Sequence, residues 1–216
     1  MRTFFVCLIA LVMLAVLCPV PPAHALSVGA PARTLDTGGF SLSGSIGYAE
    51  IDIRDADVTS KSFFFKGAFA GADGIMPYVK LGFADLEEGS FEGSLDLAFG
   101  GGVLLDILTQ ESESGFRASL DAQLLWSDSS EGSETLELFE GQLSFIGSAR
   151  TGGTNAYGGI SSSFISLDGN GLNESDNGQA HLFFGVDYYM DYNFYFNAEA
   201  HLFGQNLLNV GVGYQF

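Results

Sequence analysis

The 216-residue chain holds 26 acidic and 8 basic residues, a formal net charge of −18, yet 47% of it is hydrophobic, with 20 Phe and 29 Gly. So acidic a chain has no clustered Lys and Arg with which to grip phosphate, which argues against nucleic acid as a partner. Beyond the first 25 residues no apolar run approaches the roughly 18 residues of a spanning helix, so the apolar content must be spread by alternation.

The chain opens MRTFFVCLIALVMLAVLCPVPPAHA, with one basic residue, a long apolar run and Ala23-His24-Ala25. That is the pattern of a secretory signal peptide, 1–25, with cleavage expected after Ala25. Both cysteines, Cys7 and Cys18, lie inside it; a lipoprotein anchor at Cys18 is the rival, disfavoured by the bulky Leu17 before it. The exported chain then has no thiol for a disulfide or a thiolate metal site, and no cofactor is expected. It divides into a short periplasmic segment, 26–37, and one domain, 38–216. Its 26 acidic residues face seven basic ones, a net charge of −19.

Apolar residues then recur at every second position. The first four predicted strands carry Phe40, Leu42, Ile46 and Tyr48; Phe63, Phe65 and Phe69; Val79, Leu81 and Phe83; and Leu95, Leu97, Phe99, Val103 and Leu105. The fifth, GFRASLDAQLLW, is the cleanest, with Phe116, Ala118, Leu120, Ala122, Leu124 and Trp126 against Arg117, Ser119, Asp121 and Gln123. LELFEGQLSFI, with Phe139, Leu143 and Phe145, and AYGGISSSFI are weaker. The eighth carries Leu182, Phe184, Val186, Tyr188 and Met190, the ninth Phe194, Phe196, Ala198, Ala200 and Leu202, and the tenth Val210, Val212, Tyr214 and Phe216. The predicted fold is all-β, an antiparallel up-and-down transmembrane β-barrel of ten strands, or eight if a short hairpin is merged.

The connections alternate in kind. RDADVTS, EEGSFEG, SDSSEGSET and DGNGLNESDNG follow odd strands, while GADGI, TQESES, TGGT and DYN follow even ones. Longer outer loops and short periplasmic turns are the plan of an outer-membrane barrel, although the short GQN after strand nine departs from it. A soluble barrel of the lipocalin kind would share the period with its faces reversed. The polar face favours the membrane, because Lys66, Lys80, Asp96, Arg117, Asp121, Glu140, Asp187 and Glu199 supply both signs of charge at mid-strand, as a crowded lumen requires. From Phe116 to Trp126 is about ten steps of ~3.4 Å, which a tilt near 40° projects to roughly 26 Å, close to the apolar band of about 25 Å. Phe116, Trp126, Tyr188 and Phe194 are therefore expected in aromatic girdles. A spanning sheet must also close on itself, and a strand running to the last residue can close on the first.

NVGVGYQF, with Val210, Val212, Tyr214 and the terminal Phe216, together with LAFGGGVLL and MPYVKLGFADLE, resembles the small outer-membrane β-barrel proteins typified by the OmpA transmembrane domain and OmpX. The resemblance spans the exported chain. It implies outer-membrane location among lipids and lipopolysaccharide, and delivery by periplasmic chaperones and the barrel-assembly machinery. The terminal aromatic strand is similar to the signal which that machinery reads. Familiar members have eight strands, where ten are expected here, and they differ widely in job.

Function must come from sites. Barrels of this size are filled by their own side chains, so Lys66, Lys80, Asp96, Arg117, Asp121 and Glu140, with Asp106 beside Arg117, are expected to form an ion-paired lumen network. The alternative is a narrow passive pore for ions and small solutes. His181, His201 and Glu199, with Ser161 and Ser163 nearby, supply the parts of an acyl hydrolase acting on outer-membrane lipid, but no motif sets their spacing. As a metal site the same trio lacks a further firm ligand. Acidic outer loops could attract divalent cations. The reading is a non-enzymatic barrel with a role in envelope integrity or surface interaction.

Overall fold

The computed structural model describes residues 26–27, 35, 38–53, 56–71, 74–109, 115–169, 172–190, 193–202 and 206–216. The expected signal peptide and most of TQESES lie outside them. Among the described residues there are twelve strands: β1 Phe40–Ile53, β2 Ala56–Phe69, β3 Ile75–Ala84, β4 Glu87–Glu88, β5 Phe91–Glu92, β6 Asp96–Thr109, β7 Phe116–Glu131, β8 Glu134–Thr151, β9 Thr154–Gly169, β10 Leu172–Tyr189, β11 Phe194–Leu202 and β12 Asn206–Gln215. Ten run in the order β1-β12-β11-β10-β9-β8-β7-β6-β3-β2, and β1 pairs with β2 to close the ring. The result is the ten-strand antiparallel barrel that the periodicity predicts; β4 and β5 form a small extra hairpin. Closure falls where expected, with Ser41 opposite Gln215 and Leu42 opposite Tyr214.

The faces are inverted relative to a soluble protein. Along β3 every residue alternates between exposed and buried, Val79 being 60% exposed and Lys80 7%. Leu81, Leu97, Leu124, Leu143, Ile160 and Leu182 form an apolar exterior, while Asp121, Gln123, Glu140, Asp187 and Glu199 are buried inside. An apolar belt of this extent would be a liability in water and is what hydrocarbon demands, which separates this barrel from the lipocalin kind. Aromatic pairs edge the belt: Phe99 with Trp126 at 5.0 Å and Phe139 with Phe164 at 5.8 Å on one side, Phe40 with Phe216 at 5.8 Å and Phe194 with Phe196 at 5.3 Å on the other. Of the expected girdle residues, Phe116 and Tyr188 are exposed on this surface and Trp126 and Phe194 are half-buried in it.

The long polar connections are not open loops. β7 to β10 are 16, 18, 16 and 18 residues long, against the ~9–11 that a membrane requires, so SDSSEGSET and DGNGLNESDNG are largely strand. Alternating polar side chains cost nothing in a ladder that stands in water. Two-residue hairpin turns need positive φ, which Gly132 at 63° supplies outside and Gly152 at 60° on the periplasmic side.

Where β8 and β9 leave the membrane the alternation changes phase. Phe139, Leu143 and Phe145 point outward on β8, but Leu136 and Leu138 point inward; on β9 Ile160 and Phe164 point outward, but Ile165 and Leu167 inward. The inward set meets Ile53, Val58, Leu86 and Phe91 in one buried apolar cluster. Leu86 and Phe91 come from the β4–β5 hairpin, which EEGSFEG forms by folding over the barrel mouth. Gly93 N donates to Leu86 O at 3.1 Å across the base of the hairpin, while Lys61 Nζ donates to Glu87 Oε1 at 2.7 Å and Ser94 N to Ser130 O at 2.9 Å, holding it down.

Three lumen tyrosines sit directly across the ladder from glycine: Tyr78 opposite Gly102, Tyr157 opposite Gly185 and Tyr195 opposite Gly213. A methyl group at Gly185 or Gly213 would overlap the opposing ring. The glycine here makes space for an aromatic neighbour. Gly213→Ala should therefore destabilise the barrel by about 1–3 kcal/mol through overpacking, measured by urea unfolding in lipid vesicles. Gly44→Ala, whose methyl would meet the Phe65 ring only at 3.5 Å, should stay within about 0.5 kcal/mol of wild type.

Candidate functional site

The lumen is built in three storeys. Ala68, Met76, Tyr78, Leu104, Ile146 and Phe183 form an apolar cluster on the periplasmic side, joined by Leu35. The outer end is closed by the cluster beneath the hairpin. Inward-facing polar residues of β2, β3 and β7 to β12 lie between. Of the segment 26–37, expected in the periplasm, Leu26, Ser27 and Leu35 are described, and Leu26 and Leu35 are buried within the barrel. The physical reason is hydrogen bonding: Leu26 N lies 3.2 Å from Glu140 Oε1 and 3.1 Å from Gln142 Oε1, and Leu26 O accepts from Gln142 Nε2 at 3.1 Å.

The charged residues singled out from the sequence are only partly brought together. Lys80 Nζ donates to Gln123 Oε1 at 2.7 Å and to Ser27 O. Lys66 Nζ lies 4.1 Å from the centre of the Tyr78 ring, a cation–π contact, and Tyr78 Oη donates to Asp121 Oδ1 at 2.9 Å. A tyrosine thus stands between the lysines and Asp121. Arg117 pairs with Asp106 at 3.7 Å, as the sequence reading has it. Asp96 does not join this group: as the first residue of β6 it lies outward of the lumen's polar storey, where it accepts from Ser94 Oγ at 2.8 Å.

The histidines do meet. Their ring centres are 5.2 Å apart, and His201 Nε2 contacts Glu199 Oε1 at 2.7 Å. Tyr157 Oη donates to Glu199 Oε2 at 2.7 Å, Asn197 Nδ2 donates to Tyr157 Oη at 2.9 Å and to Asp187 Oδ1 at 2.8 Å, and Asn155 Nδ2 donates to Asp187 Oδ2 at 3.1 Å. Both oxygens of Asp187 and both of Glu199 are therefore engaged, the condition under which buried charge is tolerated. Ser161 lies opposite His181 in the ladder, yet its hydroxyl donates to Ser144 Oγ at 2.8 Å and does not couple to that histidine. Both ring nitrogens of His181 and Nδ1 of His201 lack hydrogen-bond partners among the described residues. Among those residues, too, no three His, Cys, Asp or Glu side chains gather so as to hold a metal ion.

Charge alone could not have found Tyr157, Asn155, Asn197, Gln123 and Gln142, which do most of the bonding. Their parity could: each falls on the inward register of its strand. The opposite wall, from β1, β2 and β12, is lined by Ser43, Ser45, Gly47, Ser60 and Ser62, whose small size leaves a cavity of about 80 Å³ beside Leu26 and Ser27. Several waters fit such a space.

No protein-family model matches this chain, and no curated protein matches it in sequence. Solved structures do. An outer-membrane channel from Pseudomonas putida F1 aligns with a TM-score of 0.52 at 10% identity, over 89% of this chain and 100% of that one. The translocator domain of the autotransporter NalP from Neisseria meningitidis aligns at 0.47 and 13% identity, over 86% and 91%, and the beta domain of the Bordetella autotransporter Brka at 0.48 and 13%, over 83% and 99%. At such identity the channel establishes shared architecture: this chain has the outer-membrane β-barrel fold.

Proposed function

We propose that the chain is an exported, integral outer-membrane barrel with a non-enzymatic, structural role in the envelope, its lumen closed and its outer end offering an acidic surface. The observation that carries this reading is the pair of apolar clusters that stopper the polar storey from both ends. A conduit needs a continuous wet path, and here the charged groups between the stoppers are engaged by neutral neighbours, Lys80 by Gln123, Asp121 by Tyr78, Asp187 by Asn197 and Glu199 by Tyr157. Glu131, Glu134, Glu137 and Asp168 project from the outer extensions of β7 to β9, where they would face lipopolysaccharide and its divalent counter-ions. The terminal strand remains the proposed label for the assembly machinery, in line with the resemblance to OmpA-like barrels.

Purified barrel in a planar bilayer should give no discrete conductance steps. Reproducible steps that change size in Lys80→Ala or Asp121→Asn would overturn the closed reading. The second reading, a narrow pore, draws on one observation, the serine-lined cavity against β1, β2 and β12. It is also the reading under which the channel from Pseudomonas putida would be a functional relative. A hydrolase would need Ser161 or Ser163 to reach a histidine and lipid at once, whereas both serines are buried inside the lumen. Lipid deacylation abolished by His201→Ala would sink the non-enzymatic reading.

A further inference from the structure

We infer that the lumen is a binding site for the chain's own processed amino terminus: an α-ammonium at Leu26, seated on Glu140 and Gln142. Two independent observations meet on one atom. The signal pattern places cleavage after Ala25, which would turn the nitrogen of Leu26 into a free amine. In the structure that same nitrogen sits in the middle of the barrel, between the carboxylate of Glu140 and the amide oxygen of Gln142, at 3.2 and 3.1 Å.

The site offers more than a peptide can use. A backbone N–H has one hydrogen, and two acceptors converge on it; an ammonium has three and carries the charge that a buried carboxylate needs. Glu140 is 3% exposed, so its partner matters. The balance of the polar storey points the same way, with Lys66 and Lys80 set against Asp121, Glu140, Asp187 and Glu199. One more positive charge reduces the excess. Around the nitrogen the rest of the residue is read as well: Gln142 Nε2 donates to Leu26 O, while Lys80 Nζ and Gln123 Nε2 donate to Ser27 O. Leu26 is 6% exposed, and Leu35 is anchored in the periplasmic cluster. The processed terminus thus completes the filling of the lumen, and export, cleavage and closure of the barrel become one sequence of events.

The inference rests on the export reading but not on whether the barrel conducts. Protein purified from outer membranes should have a mass that begins at Leu26; any other start overturns the proposal, while heat-modifiable gel migration reports separately on the barrel. Reductive dimethylation near neutral pH, followed by mass spectrometry, then reads the α-amine. It should label at least about tenfold more slowly in the folded barrel than in urea, as a buried, bonded group must open first. Glu140→Gln should recover most of that rate. Should Glu140→Gln fail to fold, a glycine inserted between Ala25 and Leu26 serves instead: it displaces the amine from the carboxylate and should label at the unfolded rate. Equal labelling of the folded and unfolded wild type, or full protection in whichever variant folds, would overturn the proposal.

Discussion

Deleting Phe216 alone should strip most of the protein from the outer membrane while leaving its export unchanged. The residue is 70% exposed, and its direct structural contribution is confined to three contacts: its N donates to Phe40 O at 2.8 Å, and its ring leans on Phe40 and Tyr214 at 5.8 and 4.8 Å. Aromatic pairs of this kind contribute about 0.5–1.5 kcal/mol each and the hydrogen bond about 1. The β1–β12 ladder from Ser41–Gln215 to Glu50–Asn206 survives the deletion intact. Refolding of the truncated chain into vesicles should therefore succeed with a loss of about 2–4 kcal/mol. A chain that refolds in the test tube and stalls in the periplasm marks Phe216 as an address for assembly. Normal assembly in cells would remove that role and leave the residue a girdle aromatic.

Glu199→Ala should cost about 3–5 kcal/mol, the largest loss from any single polar truncation in the lumen, because it removes one member of a buried pair and leaves the others without an acceptor. Tyr157 Oη and His201 Nε2 both terminate on this carboxylate, and through Asn197 the effect reaches Asp187. Tyr157→Phe should be milder, at about 1–3 kcal/mol, since it leaves Glu199 bonded to His201. Urea unfolding in vesicles measures both. A loss below about 1 kcal/mol for Glu199→Ala would mean that water replaces the network freely, and the lumen would then be wetter than its geometry implies.

Strand count, closure and membrane face were legible because they depend only on a local period of two, carried by residues such as Phe116 to Trp126 and by every position of β3. The partners of the lumen residues were not legible, because they depend on strand tilt and stagger, which alternation does not encode. Lys80 had carboxylates to choose from on paper and meets Gln123 and Ser27 instead. Asp96 has the right parity and lies too far toward the outer end. The outer extensions of β7 to β10 look like loops in the sequence because polar residues at both faces resemble coil once the lipid no longer forces one face apolar. One signal was available: in LELFEGQL the apolar positions move from 136 and 138 to 139 and 143, a slip of phase that marks a change of solvent.

That slip also fixes depth. Sinking the barrel would carry Glu137 and Asp168 into hydrocarbon, and raising it would lift Phe139 and Phe164 into water, so both displacements are opposed by residues on the same two strands. A smooth cylinder could slide or tilt to suit its surroundings. This one is collared, and in a bilayer of unmatched thickness the lipid must stretch or thin to meet it.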